Sequence, residues 1–153
     1  PFFNTQKDTG VLPITDERMT RFNITLQEGV DFVLKNMKRM QGGEIFVPKI
    51  PSVRIVDLAK AMSSKLPLKI IGIRPGEKLH EIMCPSDDSH LTIEFSDHFV
   101  IIPSIVFFSR KNNFTSNSIG EIGEFVKQGS EYNSGTNPHF LNVDEIKKYN
   151  NRL

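Results

Sequence analysis

The sequence predicts a mixed α/β domain, on three observations. Thr25 and Glu28 form a capping-box pair ahead of apolar residues at helical spacing, Leu26, Val30, Val33, Met37 and Met40. Short β-branched runs, Leu68–Ile73 and His98–Ile102, stand between proline and glycine breaks. The 153 residues are 38% hydrophobic and 24% charged, the balance of a soluble globular chain with a real core. Helices alternate with strands that are too few and too short for a complete doubly wound sheet.

The elements follow in order. Residues 1–11 read as a loop or shortened helix around Asn4, Asp8 and Gly10. Leu12–Thr15 is extended, because Pro13 steers Leu12 away from helical geometry. The capped helix runs to Gly42-Gly43, which supply a left-handed cap. Glu44–Val47 is a strand closed by Pro48 and Pro51, and Asp57–Met62 a helix packed through Leu58, Ala59 and Met62. Leu68–Ile73 is a buried strand broken by Pro75-Gly76, and a short helix is expected over Leu79–Met83. Ser109–Pro138 is rich in Asn, Ser, Gly and Lys, the composition of a connection. Asn142 and Glu145 then cap a last helix ahead of Ile146. The expected organisation is a ligand-binding subdomain over 1–103, a long, partly mobile connection over 104–138 and a helical tail over 139–153.

A net charge of +1 argues against nucleic acid or an anionic membrane surface as the main partner. No apolar run approaches the roughly 20 residues of a spanning helix. Cys84 is the single cysteine, which excludes an internal disulfide and fits a reducing, cytoplasmic setting. Pro1 is no initiator and Pro1-Phe2-Phe3 no signal peptide, so the chain is expected to begin partway through a longer polypeptide.

Several motifs fail on inspection. His80-Glu81 would need a second histidine at position 84, where Cys84 stands, so hydrogen-bonded or surface histidines are expected instead of a metal site. Gly72-Ile-Arg-Pro-Gly-Glu-Lys78 is one residue short of a phosphate loop, and Glu77 would repel the phosphate. No G-x-G-x-x-G occurs. Asn23-Ile-Thr25 and Asn113-Phe-Thr115 match the glycosylation sequon by chance, Thr25 being needed as a cap. Met37 and Met40 read as core packing. What remains is a pair of arginines. Arg74 follows a predicted strand and precedes a turn, a usual ligand address in α/β proteins, and Arg21 precedes the long helix. A guanidinium fork suits a diphosphate better than an ammonium does, and Glu77 would accept from a sugar or ribose hydroxyl. On spacing alone, exposed arginines near helix ends are commoner than such clamps, and the residues leave both readings open.

Leu12-Pro-Ile-Thr-Asp16, Arg18-Met-Thr-Arg-Phe22, Gly42-Gly-Glu-Ile-Phe-Val-Pro-Lys-Ile-Pro-Ser52, Asp57-Leu-Ala-Lys-Ala61, Ile71-Gly-Ile-Arg-Pro-Gly-Glu-Lys-Leu-His-Glu81, Tyr132-Asn-Ser-Gly-Thr136 and Leu141-Asn-Val-Asp-Glu-Ile146 together resemble one family. It is the C-terminal portion of the inverting UDP-N-acetylglucosamine 4,6-dehydratases of pseudaminic acid synthesis, extended short-chain dehydrogenase/reductases. Related polysaccharide-biosynthesis dehydratases and epimerases share the pattern less closely. The resemblance covers nearly the whole chain, weakest at 4–11 and 104–130.

The resemblance implies an N-terminal Rossmann half that holds NADP, absent from this chain, and a smaller C-terminal half that holds the UDP-sugar. By that pattern Arg21 and Arg74 contact the diphosphate, Glu77 is a further substrate contact, and Leu12, Ile14 and Thr15 lie beside the uracil. It implies oxidation at C4, loss of water across C5 and C6, and return of the hydride to C6. The catalytic residues for this are implied in the N-terminal half: neither Tyr132 nor Tyr149 has a lysine four residues on. The resemblance also implies a homo-oligomer, and no catalysis by this chain alone. A non-catalytic UDP-sugar-binding module, a UDP-sugar epimerase and a purely structural remnant are the alternatives. The chain departs from the pattern at Asn23, usually aromatic, at Val56, expected as a helix-capping threonine, and at the polar 4–11 segment.

Overall fold

The computed structural model describes residues 10–105 and 113–150, so residues 1–9 of the expected 1–11 loop or shortened helix lie outside them, as does part of the expected connection. The chain is mixed α/β and forms two compact units that interleave in sequence. Among the described residues the first unit holds 10–23, 50–81 and 134–150, and the second 24–49, 82–105 and 113–133. This division differs from the expected consecutive one.

In the first unit, β1 (Leu12–Ile14) pairs in parallel with β5 (Leu68–Ile70), and β2 (Thr20–Phe22) pairs antiparallel with β4 (Ser52–Arg54). Leu12 and Ile14 point to one face of β1, and both are fully buried with Ala59 of α2 (Ile55–Met62). Val56 is a helical residue packed on this core, and the capping position belongs to Arg54, whose side chain makes no cap bond. The threonine expected there as a cap would therefore put a hydroxyl into apolar packing. α3 (Val143–Asn150) follows the predicted Asn142–Glu145 cap and buries Ile146 beside Val53 and Leu141.

The second unit is built on an antiparallel sheet in the order β3 (Ile45–Pro48), β8 (His98–Ile101), β7 (Thr92–Glu94), β9 (Glu124–Phe125). Alternation along β8 sends Phe99 to a cluster with Val47 and Cys84, and Val100 to one with Ile93 and Phe95. β6 (Ile82–Cys84) pairs with β10 (Tyr132–Asn133). The helix expected over Leu79–Met83 is thus absent. Residues 113–133 of the expected connection carry β9 and β10, with a bridge between Ser116 and Ile122.

α1 (Leu26–Arg39) has the predicted capping box: Glu28 N–H donates to Thr25 Oγ1 and Thr25 N–H to Glu28 Oε2. Its C-cap is Met40 in an extended conformation, and the positive-φ glycines, Gly42 and Gly43, shape the turn beyond. The helix faces its unit with Asn36 and Arg39, which are buried, and Arg39 meets Asp97 and Glu121. The apolar stripe is exposed: Leu26 84%, Val33 60%, Met37 63%. Met37 and Met40 are therefore not core residues here. The periodicity was right about the helix and silent about what covers it. Ile70, Ile71 and Ile73, expected in a buried strand, are likewise exposed.

Candidate functional site

Residues 74–77 form a turn with proline second and glycine third. Glu77 N–H donates to the Arg74 carbonyl at 3.0 Å, and Gly76 takes the positive φ, 83°, that a type II turn demands at that place. Arg74 N–H donates to Glu77 Oε2 at 3.0 Å, so one carboxylate oxygen of Glu77 braces the turn. The Arg74 side chain is left exposed.

This turn follows the carboxyl end of β5. Because β1 runs parallel beside it, and Ile71 N–H donates to the Ile14 carbonyl at 2.8 Å, Thr15 leaves the neighbouring carboxyl end. Carboxyl ends of adjacent parallel strands are where α/β folds expose backbone and side chains to ligands. Of the residues expected beside the uracil, Leu12 and Ile14 are wholly buried, backbone included, and half-buried Thr15 is the accessible one.

Arg21 lies on β2 with its side chain 26% exposed. Its Nη1 donates to the carbonyls of Thr20 (2.6 Å) and Leu79 (3.3 Å), its Nη2 approaches Met19 Sδ at 3.2 Å, and its Nε is 3.8 Å from Glu81 Oε1. The guanidinium is thus held largely by its own chain, on a side chain that remains 26% exposed. Arg18, the neighbouring cation, is engaged by Asp16 through a paired contact. Hydrogen bonds from Arg18 hold the Asp16 carboxyl at about 2.

The structure therefore brings Arg74, Glu77 and Thr15 to the ends of two paired strands, and ties Arg21 to Leu79, two residues past Glu77. Residues 79–81 complete the surroundings of Arg21, a role that no local motif announces. Asn23 has a buried Nδ2 without a hydrogen-bond partner among the described residues.

Among the described residues no group of three or more His, Cys, Asp or Glu side chains is placed to hold a metal, and no helix is long and apolar enough to cross a membrane. The parallel strand pairing, β1 with β5, is three residues long and feeds the Arg74–Glu77 turn, not a glycine-rich turn opening a helix. The described residues do not fit a dinucleotide.

The profile of the family described as "Polysaccharide biosynthesis protein" matches residues 1–103. The chain is a mixed α/β member of a sugar-polymer biosynthetic class. It belongs to the polysaccharide biosynthesis protein family. It is 55% identical over 148 residues to UDP-N-acetylglucosamine 4,6-dehydratase (inverting) of Campylobacter jejuni serotype O:2, across 95% of this chain and 44% of that protein. It is 38% identical over 104 residues to a Rickettsia conorii UDP-glucose 4-epimerase, across 65% of this chain and 30% of that one. The X-ray structure of Pen from Bacillus thuringiensis superposes with a TM-score of 0.74 at 26% identity, over 99% of this chain and 44% of that one. The chain spans less than half the length of these relatives.

Proposed function

We propose that the chain is the substrate-binding portion of an NADP-dependent nucleotide-sugar dehydratase. The substrate is UDP-N-acetylglucosamine, and the product a UDP-4-keto-6-deoxy sugar for pseudaminic acid or surface polysaccharide synthesis. The observation that carries this reading is the Arg74–Glu77 turn at the end of β5, beside Thr15 at the end of β1 and linked through Leu79 to Arg21. In this reading Arg74 and the exposed part of Arg21 bind the diphosphate, each as a charge-assisted contact of about 1.5–3 kcal/mol. The free oxygen of Glu77 accepts from a hydroxyl, and Thr15 flanks the uracil, with Leu12 and Ile14 buried beneath it as the packing that holds β1 in place. NADP supplies the hydride chemistry and is held by polypeptide outside this chain, in a short-chain dehydrogenase/reductase half. The complete enzyme is a cytoplasmic homo-oligomer.

The exposed stripe of α1 supports the enzyme-portion reading over a self-sufficient binding module. A groove lined by Ile24, Leu26, Gly29, Val30, Val33 and Leu34 is costly to leave in water, and the relatives carry more than half their length outside the matched region. We assign that face to the remainder of the enzyme.

Calorimetric titration of the chain with UDP and UDP-N-acetylglucosamine, with Arg74→Ala alongside, tests the proposal. Saturable binding weakened about tenfold or more in the variant is expected, the loss of one charge-assisted bond. Equal binding by both proteins would contradict it.

A further inference from the structure

His80-Glu81, which fails as a metal motif, lies directly against Arg21. His80 Nδ1 is 2.8 Å from Thr20 Oγ1, Thr20 Oγ1 is 2.7 Å from Ser134 Oγ, and Glu81 N–H donates to Ser134 Oγ at 2.9 Å. Ser134 is fully buried and Thr20 nearly so. Proton counting assigns this chain a direction. Ser134 already accepts from Glu81, and the acceptor in reach of its own hydrogen is Thr20 Oγ1. Thr20 then donates to His80 Nδ1, which assigns His80 the tautomer with its hydrogen on Nε2. The reverse direction would leave a buried hydroxyl hydrogen without a partner.

The rest of the segment is fastened to the same strand. Thr20 N–H donates to the Leu79 carbonyl at 3.0 Å, and Phe22 N–H to Glu81 Oε2 at 2.7 Å. Residues 79–81 thus bind Thr20, Arg21 and Phe22 in turn. Gly135 makes room for the ring: a Cβ there would lie 2.7 Å from His80 Nδ1 and 2.8 Å from Cγ.

We infer that His80 is a positioning residue for the proposed diphosphate site, an imidazole that closes the hydroxyl chain from Ser134 and so holds residues 79–81, and with them Arg21, in register with the Arg74–Glu77 turn. This rests on the diphosphate reading above, and the test separates the two. Nitrogen-15 spectra of the labelled chain report the imidazole tautomer and the Arg21 Nε–H signal without any ligand. The inference expects His80 protonated at Nε2, and exchange of the Arg21 Nε–H about tenfold faster in His80→Phe and Gly135→Ala. His80→Asn, whose Oδ1 replaces the Nδ1 acceptor, restores the slower exchange. UDP affinity should fall about tenfold in His80→Phe and stay near wild type in His80→Asn. A His80 protonated at Nδ1, or an Arg21 signal indifferent to all three variants, overturns the inference whatever the UDP result. If the spectra behave as expected but Arg21→Ala binds UDP as wild type does, the diphosphate reading falls, and the role in binding falls with it.

Discussion

A guanidinium taken out of water costs several kcal/mol unless its partners repay it. Arg39, 1% exposed, meets that demand with Asp97 Oδ1 at 3.0 Å and Glu121 Oε2 at 2.7 Å, while Lys35 holds the other Asp97 oxygen. Asp97 also faces the buried His98, whose Nδ1 lies at 2.8 Å and whose ring stacks on Phe95. Burial pushes His98 below the ordinary histidine range, with help from the Arg39 charge and against the Asp97 hydrogen bond. Burial alone would raise the Asp97 carboxyl, but hydrogen bonds from Lys35, His98 and Arg39 hold it far below the usual range. Both shifts act in one direction. The folded imidazole stays neutral where the unfolded one takes a proton, so stability complete above 6.5 declines as pH falls through it. The Asp97 contribution is present above 3.8 and is lost at lower pH. Urea midpoints of the chain should fall between about pH 6.5 and pH 5, and His98→Phe should reduce that fall. An identical pH profile in the variant would remove His98 from the explanation.

α1 shows what an element's sequence does and does not contain. Thr25, Glu28 and the apolar period specify the helix and its start, because capping and amphipathicity are local. They do not specify the covering surface. The same stripe would be read whether this chain or another polypeptide packs on it, and here Asn36 and Arg39 face inward instead. β6 fails for a related reason: Leu79–Met83 is a short apolar run with no decisive period, and its state is fixed by pairing with Tyr132–Asn133, far away in sequence. The Arg74–Glu77 turn was readable because Pro75 and Gly76 encode it locally. The contrast between α1 and β1 is testable. Leu26→Gln and Val33→Gln, on the exposed stripe, should change stability by no more than about 0.5 kcal/mol. Ile14→Ala, in the core beside Ala59, should cost about 2–5 kcal/mol. Chemical denaturation of the variants compares them, and a large loss from Leu26→Gln would show the stripe to be packed within this chain.

At the scale of the molecule, the two units exchange the chain several times, so each is closed by segments distant in sequence. Ser134 reaches Thr20 and Glu81 in one unit, and Arg39 meets Glu121 in the other. Composition marks the change of character from Ser109 but not that residues 113–138 build parts of both units. The candidate site was legible where it depends on local turn chemistry and on resemblance, at Arg74 and Glu77. It was not legible in the hydroxyl and imidazole chain around Arg21, which exists only once three segments meet. The central claim is that a nucleoside diphosphate binds at the ends of β1 and β5. Amide chemical-shift mapping of the isotopically labelled chain during titration with UDP tests it most directly. The account predicts saturable shifts at Thr15, Arg21 and the 74–77 turn, with α1 unmoved; shifts confined to other residues, or none at all in the folded chain, would contradict it.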